Sequence, residues 1–160
     1  MAIAAGEKVP AGKFKIATSD GLADLTTAQL FDGKRVLFFA VPGAFTPTCD
    51  ARHLPGYIGL ADQIRAKGID TIACMAVNDV FVMKAWGKSA GAGDKVLMLA
   101  DGNGEYARAL GLALDATGFG MGQRSQRFAM VVKDGVVEQL HVEQGGEFKV
   151  SAADYLLSRL

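Results

Sequence analysis

Short, nearly unbroken apolar runs alternate along the chain with longer stretches in which apolar residues recur at helical spacing. Residues 35–41 (RVLFFAV), 69–77 (IDTIACMAV) and 96–100 (VLMLA) are too short for buried helices and read as strands covered on both faces. Between the first two, positions 47–67 put Leu60, Ile64 and the intervening alanines on one helical stripe. A kink is expected there at Pro55-Gly56, and a stop at Lys67-Gly68. Asn78 or Asp79 is placed to cap a second helix through Val82, Ala85 and Trp86, ending in the glycine-rich SAGAG. The turn residues DGNG close the third strand, and a short helix follows over 105–110. Residues 127–132 alternate and meet Asp134-Gly135, a hairpin signal between two strands. Ser151 heads a closing helix over 151–160, with Asp154 near the capping-box position. The N-terminal part reads as irregular to Asp20 apart from a short strand at 14–17. One or two helical turns follow at 25–31, capped by Thr26 or Thr27. From Arg35 onward the order is β-α-β-α-β-α-β-β-α. That order predicts one α/β domain over residues 1–160, with a parallel core sheet and an antiparallel hairpin at its end.

Composition narrows the function. Half of the 160 residues are apolar, enough for a core, and basic and acidic side chains balance at 17 each. That balance gives no electrostatic case for a nucleic acid or an acidic membrane as partner. No apolar run approaches the roughly 20 residues of a membrane span. The opening MAIAAGEKVP holds no block suited to a signal peptide, so a cytoplasmic location is expected. Two cysteines do not form a disulfide framework and fit a reducing compartment.

One of them, Cys49, falls just after the first apolar strand, in the first turn of the next helix, where open α/β sheets gather ligands. Thr46 is placed as the cap and Pro47 as the first helical residue. Amide N–H groups and the positive end of the helix dipole there favour thiolate over thiol. Arg52 and His53, three and four residues on, share that helical face and add expected positive charge, while Asp50 works against it.

The run VPGAFTPTC followed by HLPGYI resembles the active-site signature of the peroxiredoxins, specifically the type II (peroxiredoxin-5-like) subfamily. IACMAVNDVFVMKAWG, LADGNGEYARALGL, RSQRFAMVVKDGVV and GEFKVSAAD extend that resemblance over most of the chain, in the subfamily's order. The resemblance implies a thioredoxin-like fold, a central mixed sheet flanked by helices, and thiol-dependent reduction of hydrogen peroxide and small alkyl hydroperoxides. It implies no metal and no flavin or other cofactor. Within the pattern P-x-x-x-T-x-x-C, Pro42 is expected to shape the loop and shield the thiolate from bulk water, and Thr46 to hydrogen-bond both the sulfur and the peroxide. By that resemblance Cys49 is expected to attack the peroxide and become a sulfenic acid. A distant arginine supplies preorganised positive charge. Arg124 and Arg127 both qualify by type, and strand parity does not choose between them. In the subfamily the arginine directly precedes the Phe-Ala-Met strand, which selects Arg127 and leaves Arg124 as a surface cation at a strand entrance.

His53, from the HLPG run, is a secondary candidate with a structural or a catalytic role. Trp86 reads as a core or interface anchor, and Phe45 as a pocket wall or a subunit contact. Cys74, the other thiol, lies in an apolar strand and is either a resolving cysteine or a bystander. An internal disulfide needs Cα atoms within roughly 7 Å, which its strand position disfavours. An external thiol is therefore expected to resolve the sulfenic acid, glutathione with glutaredoxin first and thioredoxin second. The subfamily's dimers suggest a homodimer. The alternative function is a peroxide sensor or redox-regulated chaperone using the same cysteine. GFGMG at 118–122 precedes a strand and so lacks the strand-to-helix geometry of a phosphate loop. Asp101, Asp115 and Glu143 are scattered without metal-ligand spacing.

Overall fold

The computed structural model describes residues 1–160. Its strands are β1 (Lys13–Thr18), β2 (Gly21–Thr26), β3 (Arg35–Val41), β4 (Thr71–Ala76), β5 (Leu97–Ala100), β6 (Ala113–Asp115), β7 (Gln123–Ser125), β8 (Phe128–Lys133) and β9 (Val136–Val142). The helices are α1 (Thr27–Phe31), α2 (Leu54–Arg65), α3 (Val80–Ala90), α4 (Glu105–Ala109) and α5 (Ala153–Leu157). Seven strands form one mixed sheet in the order β2-β1-β5-β4-β3-β8-β9, while β6 and β7 pair by themselves. The three apolar runs β3, β4 and β5 are parallel neighbours at its centre, and β8 joins β3 antiparallel.

Alternation along these strands divides the core in two. Leu37, Phe39, Val41, Cys74 and Ala129 face α2, α3 and α5, whereas Val36, Phe38, Ala40, Met75 and Phe128 face α1 and α4. Every residue from Val36 to Val41 is fully buried, as continuous apolar strands require. Asp134 and Gly135 both take positive φ, 47° and 79°, and turn β8 back into β9 as the hairpin signal predicts. Thr26 caps α1 in a capping box with Gln29, and Asp79 caps α3 by accepting from Val82 N at 2.8 Å.

Some elements differ from expectation. β2 covers Leu25, which reads as helical in the sequence. Its side chains are half-buried or exposed, so no apolar pattern marks it, and its partner β1 supplies the strand. The closing helix begins at Ala153 with no side-chain cap. Ser151 does not serve as that cap, because its hydroxyl donates to Glu143 instead. The expected kink at Pro55 is replaced by a π-helical turn one turn earlier, Cys49–His53. Pro55 has no N–H to bond the carbonyl of Ala51, and the N–H of Leu54 reaches Cys49 O, five residues back. Pro55 then occupies the first turn of α2, where a missing N–H costs nothing.

Candidate active site

Cys49 opens the π-helical turn with no exposed surface, packed in the core cluster between β3, α2 and α3. The loop before it, Pro42 to Thr46, is held at several points. Asn78, two residues beyond β4, accepts the Ala44 N–H at 2.9 Å, and Thr46 Oγ1 donates to Gly43 O at 2.7 Å. Phe45 adopts a φ of 60°, unusual outside glycine, and its half-exposed ring lies 6.3 Å from Trp86. Space beside Gly43 is tight, so a larger residue would need its neighbours to give by a few tenths of an ångström. A Cβ there would stand 3.1 Å from Thr46 Cγ2, 3.3 Å from Met121 Cε and 3.4 Å from Arg124 Nη1. With its proton committed to Gly43, the Thr46 hydroxyl keeps only acceptor capacity. It is therefore able to accept from an incoming O–H but not to donate to the sulfur, which narrows the double role expected for it.

Arg127 lies at the entrance to β8 on the same side as Ala129. Its Nη2 donates to Cys49 Sγ at 3.1 Å and its Nη1 to His53 Nδ1 at 2.7 Å. His53 Nε2 donates in turn to Ser151 O at 3.0 Å. An imidazole that accepts at Nδ1 and donates at Nε2 is neutral and carries its proton on Nε2. Burial pushes His53 down to about 3, the Arg127 charge adds to this, and the Ser151 hydrogen bond opposes it. The expectation that His53 adds positive charge beside Cys49 is therefore corrected. Arg52 is also outside the cluster. It is exposed, with its guanidinium 4.8 Å above the Phe148 ring. The cation beside the sulfur comes from Arg127. Asp50 is turned away from that task, since its carboxylate accepts from Trp86 Nε1 at 2.8 Å. Trp86 is fully buried, a core anchor.

Arg124 is not a surface cation. It is half-buried on β7, with Nε donating to Met121 O and Nη1 to Val77 O at 2.9 and 3.0 Å, and it braces the loop from behind. Arg124 is on β7 and Arg127 just precedes β8, a strand of the other sheet, so strand parity does not relate them. Cys74 sits within β4, paired with Phe39 on one side and Met98 on the other. Burial raises its thiol well above the usual range, the neighbouring Cys49 adds to this, and the Arg127 charge opposes it. Such a thiol is a poor nucleophile, and moving it would unzip two ladders.

The family model described as Redoxin matches residues 4–157. The chain belongs to the Redoxin family. It is 48% identical to Peroxiredoxin-2B of Arabidopsis thaliana over 159 residues, covering 99% of this chain and 98% of that protein. It is also 48% identical to the chloroplastic Peroxiredoxin-2E-2 of Oryza sativa subsp. japonica, of which the match spans 72%. Among solved structures, reduced Prx3 of Vibrio vulnificus in complex with hydrogen peroxide aligns with a TM-score of 0.95 at 51% identity, over 98% of each chain.

In this peroxiredoxin several supporting contacts carry no signal in the sequence. Asn78 reads equally as a helix cap, Asp50 reads as a carboxylate facing the thiol, and Ser151 reads as a helix start. Each instead reaches across to another element of the fold. Burial of His53 has a measurable consequence for stability. The native ring stays neutral down to about pH 3, whereas in the unfolded chain it takes up a proton near 6.5. Below 6.5 only the unfolded state gains that proton, so this contribution is complete above pH 6.5 and falls as pH drops toward 3. Between pH 6.5 and 5 the loss is about 2 kcal/mol. Urea unfolding at the two pH values should show it, with the difference reduced in His53→Asn. Equal pH dependence in parent and variant would contradict a neutral, buried His53.

Proposed function

We propose that Cys49 is the peroxide-reactive nucleophile of a one-cysteine thiol peroxidase, acting in a single domain over residues 1–160 with Pro42, Thr46 and Arg127. Thiol-dependent peroxide reduction is the activity of the peroxiredoxins to which the chain is similar. The single observation that carries the residue assignment is the Arg127 guanidinium, donating to Cys49 Sγ at 3.1 Å while anchored by His53.

The chemistry balances with these groups. The Cys49 sulfur attacks the terminal peroxide oxygen, a sulfur–oxygen bond forms and the O–O bond breaks. The departing alkoxide or hydroxide takes a proton and leaves as alcohol or water, and Cys49 becomes a sulfenic acid. Arg127 stabilises the negative charge as it moves from sulfur to the leaving oxygen. Thr46 accepts from the peroxide hydroxyl and aligns it. Cys49 has 0% exposure, which favours hydrogen peroxide and small alkyl hydroperoxides over bulky ones.

An external thiol then condenses with the sulfenic acid, giving a mixed disulfide and water, and a second thiol releases Cys49. The buried, hydrogen-bonded strand position of Cys74 supports this over an internal disulfide. Glutathione with glutaredoxin is the leading reductant and thioredoxin the second. A cytoplasmic setting suits two unpaired cysteines. No helix is long and apolar enough to cross a membrane. The exposed rings of Phe45, Phe81 and Phe119 support a homodimer that covers them.

The test is steady-state reduction of hydrogen peroxide with each reductant in turn. Turnover should be faster with glutathione and glutaredoxin than with thioredoxin, and oxidised protein should trap one glutathione on Cys49. An intramolecular Cys49–Cys74 disulfide as the main oxidised species would overturn the one-cysteine scheme.

A further inference from the structure

Glu143 follows β9 directly, is nearly buried, and has no cation as partner, since Lys149 Nζ pairs with Glu147 at 2.8 Å. A buried carboxylate without a cation needs donors, and here the following loop supplies them. One oxygen, Oε2, accepts from Lys149 N at 2.7 Å, Ser151 N at 2.8 Å and Ser151 Oγ at 2.6 Å. Burial alone would raise this carboxyl, but the hydrogen bonds from Ser151, Lys149 and Val150 hold it below its usual range. The result is a loop curled around one charge, with the Ser151 carbonyl turned inward.

That carbonyl is used fully. It accepts from His53 Nε2 at 3.0 Å and from Tyr57 Oη at 2.6 Å. Because it accepts, it demands the proton on Nε2, which leaves Nδ1 free to accept from Arg127 Nη1. With the other tautomer an N–H at Nδ1 would confront an N–H of Arg127. Glu143 also holds Arg127 by a second route, since its backbone N–H donates to Arg127 O at 3.0 Å. The side-chain route ends on the guanidinium that touches the sulfur, and the backbone route holds the Arg127 main chain.

We propose that Glu143 is a positioning residue for peroxide reduction: it folds the Lys149–Ser151 turn so that the Ser151 carbonyl sets the His53 tautomer and thereby aims Arg127 at Cys49. This rests on the assignment of Cys49 and Arg127 made above. Glu143 touches neither sulfur nor peroxide and acts only through Ser151, His53 and Arg127.

Glu143→Gln keeps the shape and removes the charge that gathers the three donors. It should slow oxidation of Cys49 by hydrogen peroxide about tenfold, the scale of one weakened charge-assisted hydrogen bond, without changing reduction of the oxidised protein by thiols. The chain has only two histidines, so nitrogen NMR resolves them. His53 should show the Nε2–H tautomer in the parent and a mixture in Glu143→Gln, with His141 unchanged. In an Arg127→Lys background the same substitution should cost little more, because its effect runs through the guanidinium. Should Glu143→Gln fail to fold, Ser151→Ala removes the Oγ donor alone and should show a smaller slowing with the same tautomer shift. Unchanged tautomer and oxidation rate, or a loss that simply adds to that of Arg127→Lys, would overturn the proposal. If the parent itself is not oxidised at Cys49, the underlying assignment fails instead, and the two failures are separable.

Discussion

Replacing Cys49 with serine should lower peroxide turnover by at least about 10⁴-fold, the scale of losing a nucleophile outright, whereas Cys74→Ser should stay within about twofold of the parent. The contrast follows from where the two sulfurs sit. Cys49 opens a helical turn beneath a loop and receives a hydrogen bond from a cation. A serine hydroxyl at that position has no accessible higher oxidation state analogous to a sulfenic acid. Cys74 is locked between Phe39 and Met98 in the centre of the sheet, with its thiol held protonated by burial. A core Cys→Ser change there places a hydroxyl in an apolar setting, so its effect should appear in stability, by about 1–3 kcal/mol, rather than in turnover. Peroxide consumption with saturating reductant measures the first effect, and urea unfolding the second. Loss of turnover in Cys74→Ser with an unchanged fold would mean that the second sulfur takes part in the cycle.

Arg127→Gln should slow oxidation of Cys49 by about 10²- to 10³-fold, as removal of one preorganised charged donor does elsewhere. The guanidinium bonds Cys49 Sγ and His53 Nδ1 at once, using two of its five donors in a fixed fork. Glutamine cannot supply the charge. Lysine supplies it without the fork, so Arg127→Lys should lose less than Arg127→Gln but should not match the parent. Phe148 covers the pair from above, its ring 5.8 Å from the Arg127 Cζ and 4.9 Å from the His53 ring. An apolar ring beside the pair lowers the local dielectric and strengthens the electrostatic effect. The readout is the rate of the first oxidation in stopped flow, separated from reduction by omitting the thiol. Arg127→Gln reacting at the parent rate would mean that the charge near the sulfur is not what drives the step.

The central sheet was legible because its strands are buried on both faces, so that a bare apolar run of the right length identifies them, as in β3 and β4. The Asp134-Gly135 turn was legible because two adjacent positive φ values demand those residue types. Edge strand β2 and the β6–β7 pair were not, since half-exposed strands carry no apolar signature and are defined by their partners. The same distinction governs the site. Pro42, Thr46 and Cys49 lie within one short segment, where spacing and resemblance single them out. The state of His53 depends on a carbonyl 98 residues away, and the place of Arg124 depends on Val77 and Met121. Contacts of that kind belong to tertiary structure, and residue type alone presents His53 as a cation, whereas burial makes it a neutral acceptor.

In the proposed cycle one sulfur, gripped by Arg127, meets the peroxide. Treating the reduced protein with one equivalent of hydrogen peroxide, trapping sulfenic acid with a dione reagent and mapping the adduct by mass spectrometry tests it directly. The adduct should fall on the peptide carrying Cys49, with Cys74 recovered as a free thiol. An adduct on Cys74, or no adduct on either cysteine while peroxide disappears, would contradict it.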